Sequence, residues 1–125
     1  MSSLSASVHI VDDDDAVRDS LRSLLESYGF TVRDYTSADA FLADGGLSKS
    51  GCLVLDLHMP GTPGLELLLK LRENQSRLPV IAMTGRSDPI LKKQVSQAGA
   101  FILLEKPMQD EVLLWSIQNA IASQP

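Results

Sequence analysis

The chain has 125 residues, 44% of them hydrophobic, which suffices for one core and predicts a single domain over residues 1–125. A net charge of -5 and a pI near 4.8 exclude the basic stripe that direct nucleic-acid binding requires, and no apolar run approaches the ~18 residues of a membrane span. The lone Cys52 excludes an internal disulfide and suits a reducing compartment, so a cytoplasmic location is expected.

Residues 1–6 lack the basic and apolar regions of a signal peptide and read as a frayed terminus. Val8 to Val11 form a short apolar strand that runs into four acids, Asp12 to Asp15. Val17, Leu21, Leu24, Leu25 and Tyr28 then recur at helical spacing; Asp15 is the expected N-cap and Gly29 the expected stop. Phe30 to Tyr35 alternates and predicts a second strand. Ser37 caps a short helix through Ala40, Phe41 and Leu42, which Gly45 and Gly46 end.

Cys52 to Leu55 is an apolar run that stops on Asp56 and breaks at Pro60-Gly61. Four successive apolar residues predict a strand covered on both faces. Helix three starts near Pro63-Gly64, with Leu65, Leu68, Leu69 and Leu71 as its stripe. Pro79 to Met83 is the fourth strand, ending on Thr84-Gly85. Asp88, Leu91, Val95 and Ala98 mark a helix stopped by Gly99. Ala100 to Leu104 is the fifth strand, ending on Glu105-Lys106-Pro107, and a last helix from Asp110 turns Leu113, Ile117, Ala120 and Ile121 inward. Residues 123–125 read as a tail or a truncated linker. Five strand and helix alternations imply an α/β fold: one doubly wound, five-stranded parallel sheet with helices on both faces.

Chemistry collects at the strand ends: Asp12 and Asp13, Asp56, Thr84 and Lys106. In an open α/β sheet ligands bind in the crevice outside the carboxyl ends. Clustered carboxylates repel unless a hard cation neutralises them, so Mg²⁺, or Mn²⁺, is the expected ion. The contiguous acids are not an EF-hand loop, and Gly61 and Gly64 lack the sequel of a P-loop. Asp14 and Asp15 read as a solvated helix N-terminus, Cys52 as a buried small hydrophobe, and His9 as structural. His58 is expected to tune access to Asp56.

Asp12-Asp13, Asp56 with Met59-Pro60-Gly61 and Gly64, Thr84-Gly85, Ala98-Gly99-Ala100 and Lys106-Pro107 together resemble the receiver domain of two-component response regulators. Asp19 to Leu21, Ala40 to Leu42, Met83 to Gly85 and Glu105 to Pro107 resemble its FixJ-type members, which belong to bacterial signalling and usually precede a helix-turn-helix transcription output. The resemblance implies a CheY-like, flavodoxin-like (βα)5 fold. It implies Asp56 as acceptor of a phosphoryl group from a sensor histidine kinase, with no other enzymatic activity than self-phosphorylation and autodephosphorylation. It further implies Mg²⁺ on Asp13, Asp56 and the His58 backbone carbonyl, with Asp12 reaching it through water. Thr84 would bond a phosphoryl oxygen, Lys106 would pair with it, and the Lys106-Pro107 peptide would be cis.

In many receivers an aromatic residue on the fifth strand turns inward with the threonine; here Leu103 stands in its place, with Phe101 two residues earlier. Pro63 replaces the aspartate usual before the loop glycine and stiffens that loop, and Arg86 lies within reach of an incoming phosphodonor. Ile90 and Trp115 fall off their apolar stripes, on the surface of helix 4, strand 5 and helix 5, where related receivers dimerise on phosphorylation. Two other readings remain. One is a degenerate receiver that binds protein without phosphorylation. The other is a haloacid-dehalogenase-like phosphatase, which needs a second Asp where His58 stands.

Overall fold

A computed structural model describes residues 6–86 and 88–123; residues 1–5 of the expected frayed start and 124–125 of the expected tail lie outside it, whereas the Ala6 carbonyl accepts from the Thr31 amide at 3.1 Å and Ser123 closes the last helix. The elements alternate as β1 (Ser7–Val11), α1 (Asp15–Ser27), β2 (Thr31–Tyr35), α2 (Ala38–Ala43), β3 (Cys52–Asp56), α3 (Gly64–Glu73), β4 (Val80–Thr84), α4 (Pro89–Gln97), β5 (Ile102–Glu105) and α5 (Asp110–Ala122). The strands are parallel in the order β2-β1-β3-β4-β5. That order reverses direction between β1 and β3, which is the switch point where such sheets open a crevice. Val11 pairs with Leu55 and Asp56 with Met83, so the acids after β1 lie beside the acid ending β3. Among the described residues no helix is long and apolar enough to cross a membrane.

Strand alternation divides the core in two. Val8, Ile10, Cys52, Val54, Ile81 and Met83 face α1 and α5, against Leu21, Leu25, Leu113 and Ile117. Val11, Leu53, Leu55, Val80 and Ala82 face the other way, against Phe41, Leu67, Leu68, Leu71 and Val95. β3 and β4 are buried along their whole length, as their unbroken apolar runs predict, whereas edge strand β2 is exposed at alternate early positions.

Several expectations shift by a residue or two. Asp14, not Asp15, caps α1, its carboxylate accepting from the Ala16 and Val17 amides at 2.9 and 3.2 Å. Tyr28 is the C-cap residue of α1 and is exposed, because Gly29 at φ 91° turns the chain away before the stripe can continue. In α3 Leu69 is exposed and Leu67 is buried, since the packed face runs through 64, 67, 68 and 71. β5 begins at Ile102 rather than Ala100, leaving Phe101 outside the strand and exposed; its amide still bonds the Val80 carbonyl at 2.9 Å.

His9 lies buried in β1, as its structural assignment requires. Its Nε2 lies 2.9 Å from the Ser50 carbonyl oxygen, an acceptor, so Nε2 carries the hydrogen, and its Nδ1 is buried with no partner among the described residues. A second proton would sit on that orphaned nitrogen, and burial accordingly holds the imidazole pKa below its ordinary 6.5, with the Ser50 bond opposing. A His pKa depressed by folding means that the unfolded chain binds more protons. Its stability contribution is therefore complete above about 6.5 and is lost as the pH falls through that value toward the folded pKa. The denaturation midpoint should drop between about pH 7 and 5 in the native protein and less in His9→Val; equal slopes would show that His9 is not the titrating group.

Candidate functional site

Asp12 follows β1 and is wholly buried. Its amide bonds the Tyr35 carbonyl at 3.2 Å, and the Arg18 guanidinium holds its carbonyl at 2.8 Å. Both carboxylate oxygens are engaged: Oδ1 accepts from the Asp14 amide at 2.9 Å, and Oδ2 from Lys106 Nζ at 3.0 Å. Nothing in the sequence pattern singled out Arg18. It lies one turn into α1, pairs with Asp15, and anchors the acidic turn from behind.

Asp56 ends β3, nearly buried, with Oδ1 accepting from the His58 amide at 3.1 Å and Oδ2 3.7 Å from Lys106 Nζ. Lys106 thus spans two carboxylates from the loop after β5. Its position is set by its own amide, which bonds the Thr84 carbonyl at 2.7 Å, and the Lys106–Pro107 peptide is cis. Burial raises the Asp56 pKa above the ordinary carboxylate range; Asp12 and Asp13 push the same way, while the His58 amide and Lys106 oppose.

Asp12, Asp13 and Asp56 each offer an oxygen within 4.8 Å of the others, and Asp13 is exposed. Oxygens on one octahedral Mg²⁺ lie about 3 to 4.2 Å apart, given metal–oxygen distances of about 2.1 Å. The cluster therefore fits a small hard cation with slight contraction. The all-oxygen donor set agrees with that class of ion.

Gly64, the first residue of α3, brings that helix onto the end of β3. A Cβ there would meet the Asp56 carbonyl oxygen at 2.5 Å and Leu57 Cα at 2.7 Å. Pro63 is the N-cap and supplies no side-chain hydrogen bond, so the helix start is held by backbone, with the Gly64 amide on the Leu57 carbonyl at 3.2 Å.

The cleft in front of Asp56, about 380 Å³, is lined by Asp56, His58, Gly85, Arg86 and Lys106. Thr84 is absent from that lining. It is fully buried at the end of β4, where alternation sends it to the same side as Val80 and Ala82 while Asp56 shares the side of Cys52 and Val54. Its hydroxyl bonds the Arg86 carbonyl at 2.8 Å, the Arg86 amide at 3.2 Å and His58 Nε2 at 2.6 Å. Asp12, Asp13, Asp56 and Lys106 thus converge as the strand ends predict, and Thr84 sits beside them with its hydroxyl committed elsewhere.

The switch-surface residues lie away from this cup. Ile90, on the first turn of α4, is 74% exposed and Trp115, on α5, is 58% exposed, while Leu103 is half-buried against the α3 and α4 side of the core. Cys52 is fully buried, and its thiol is pushed up to about 12, as an inert packing residue requires.

A family model described as "Response regulator receiver domain" matches residues 8–118. The transcriptional regulatory protein FixJ of Azorhizobium caulinodans is 45% identical over 114 residues, which are 91% of this chain and 54% of that protein. The crystal structure of FixJ-N superposes with a TM-score of 0.88 at 38% identity, covering 100% of this chain and 98% of that one. Full-length FixJ from B. japonicum superposes with a TM-score of 0.85 at 41% identity, covering 94% of this chain and 58% of that one. The chain spans about half the length of the curated relatives it matches.

Proposed function

This chain belongs to the response regulator receiver domain family, in its FixJ type, and from that premise we propose that Asp56 accepts a phosphoryl group from a phosphohistidine of a sensor histidine kinase. The observation that carries the reading is Lys106, whose ammonium reaches Asp12 at 3.0 Å and Asp56 at 3.7 Å in a cup that also gathers Asp13. Phosphoryl transfer depends on positioning and charge neutralisation rather than on a strong base. An oxygen of Asp56 attacks phosphorus, the phosphorus–nitrogen bond breaks, and the imidazole leaves with the bonding electrons and takes a proton from solvent.

Asp13, Asp56 and the His58 backbone carbonyl are the groups that would hold Mg²⁺, which supplies neutralisation of the phosphoryl oxygens. Asp12, with both oxygens already hydrogen-bonded, would act through water. Lys106 holds the anionic product, and Thr84 donates to a phosphoryl oxygen once its hydroxyl turns. The acyl phosphate hydrolyses back to the carboxylate, so the domain cycles as a switch without turning over an external substrate. A helix-turn-helix transcription output beyond this chain agrees with the lengths of its relatives.

Intact mass after incubation with acetyl phosphate and Mg²⁺ tests this. One labile phosphoryl adduct is expected, absent from Asp56→Asn, and the same variant should unfold at higher denaturant than the native protein without Mg²⁺, because it removes a buried charge from a like-charged cluster. An adduct that survives in Asp56→Asn overturns the assignment.

The output surface we assign to α4, β5 and α5, where Ile90 and Trp115 stand exposed, with half-buried Leu103 on β5 as the residue coupled to Thr84. A phosphorylated homodimer through this face is the expected assembly. Sedimentation with beryllofluoride and Mg²⁺ should shift monomer to dimer, and Ile90→Glu should abolish the shift; an unchanged monomer in the native protein sinks this part.

A further inference from the structure

We propose that His58 is a latch: its imidazole holds the Thr84 hydroxyl in the position that cannot serve a phosphoryl group, and so sets how readily the switch is thrown. The proposal deepens the phosphoacceptor reading and rests on it.

The hydrogen bonds around Thr84 leave one assignment. A hydroxyl has one proton, and the Arg86 carbonyl, 2.8 Å away, can only accept, so Thr84 donates there. It therefore accepts from His58 at 2.6 Å, which requires the hydrogen on Nε2. It also accepts, more weakly, from the Arg86 amide at 3.2 Å. One donor and two acceptor positions are filled, and none points to Asp56. Turning Thr84 toward a phosphoryl group breaks the bond to His58 and both contacts to Arg86.

That cost has a structural consequence. Arg86 is held through its carbonyl and its amide by a single oxygen, and α4 starts three residues on at Pro89, behind the Asp88 cap. His58 borders both the Asp56 cleft and a second groove formed with Arg86, Asp88, Ile90 and Gln94. Releasing Thr84 frees the segment that carries Ile90. His58 thus acts through Thr84 as a positioning residue, since the ring itself bonds no reacting atom.

A net hydrogen bond corresponds to a factor of roughly two to ten in an equilibrium. Apparent affinity for a ligand of the turned state scales with the fraction already turned. The test is titration of the native protein and three variants with beryllofluoride at fixed Mg²⁺, followed by amide NMR shifts. His58→Ala and His58→Phe should bind roughly two- to tenfold more tightly, and His58→Gln, which keeps a donor at similar reach, should fall between them and the native protein. Tightening in Ala but not in Phe means that bulk rather than the bond matters and overturns the latch, as does unchanged affinity in Ala. A long-range nitrogen–proton spectrum of the native protein supplies an independent check: an Nδ1–H tautomer at His58 also overturns it. Native protein that never engages beryllofluoride defeats the phosphoacceptor reading, and the latch with it.

Discussion

Lys106→Met should lower the stability of the unphosphorylated domain by about 2 to 3 kcal/mol and slow phosphoryl uptake by roughly a hundredfold. Methionine keeps most of the lysine's apolar stem and removes the ammonium that lies 3.0 Å from Asp12 and 3.7 Å from Asp56. Breaking a buried pair from one side costs about 3 to 5 kcal/mol because it strands the other charge. Here the stranded group is Asp12, with a fully enclosed side chain, while the lysine is 26% exposed, which trims the figure through solvent screening. Mg²⁺ should restore much of the stability, because it supplies positive charge to the same carboxylates, yet leave the rate low, because it cannot replace the ammonium facing the phosphoryl group. Urea unfolding with and without Mg²⁺, paired with acetyl phosphate kinetics, separates the two effects. A variant that unfolds where the native protein does would mean that Asp12 is not sealed against the lysine.

Gly64→Ala should be the most damaging single methyl in the site. The added carbon would lie 2.5 Å from the Asp56 carbonyl oxygen and 2.7 Å from Leu57 Cα. Both are backbone atoms at the end of a fully buried strand, so relief comes only by prising α3 from β3. Overpacking of this kind costs about 1 to 3 kcal/mol, and an ångström of displacement at a reacting group costs roughly a hundredfold in rate. Gly61→Ala is the matched control. Its φ of 81° carries backbone strain, about 1 to 2 kcal/mol, but no atom of the described residues lies within 4 Å of its added carbon. Both variants should lose stability, and only Gly64→Ala should also slow adduct formation. Equal rates in the two would mean that the α3 approach does not position Asp56.

The glycine at 64 was visible in the sequence as part of a motif, yet its reason was not. A loop glycine reads as a turn residue, and this one is needed for room at a helix start. Cap placement shows a related limit. Asp14 and Asp15 are equivalent in a run of four acids, and the choice depends on which carboxylate the rising backbone aims at the Ala16 and Val17 amides. Leu67 and Leu69 were likewise inseparable in a leucine-rich helix until the sheet offered a face to pack on.

The order of strands and helices, the burial of β3 and β4, and the gathering of Asp12, Asp13, Asp56 and Lys106 follow from local pattern, because apolar period and strand-end polarity are properties of neighbouring residues. Tertiary structure alone decided which partner each polar group took. Arg18 on the Asp12 carbonyl and His58 on the Thr84 hydroxyl join residues 6 and 26 positions apart, and neither pairing is written in local sequence. A hydroxyl has one proton and a few directions to send it, so its partner is settled by where separate loops come to rest.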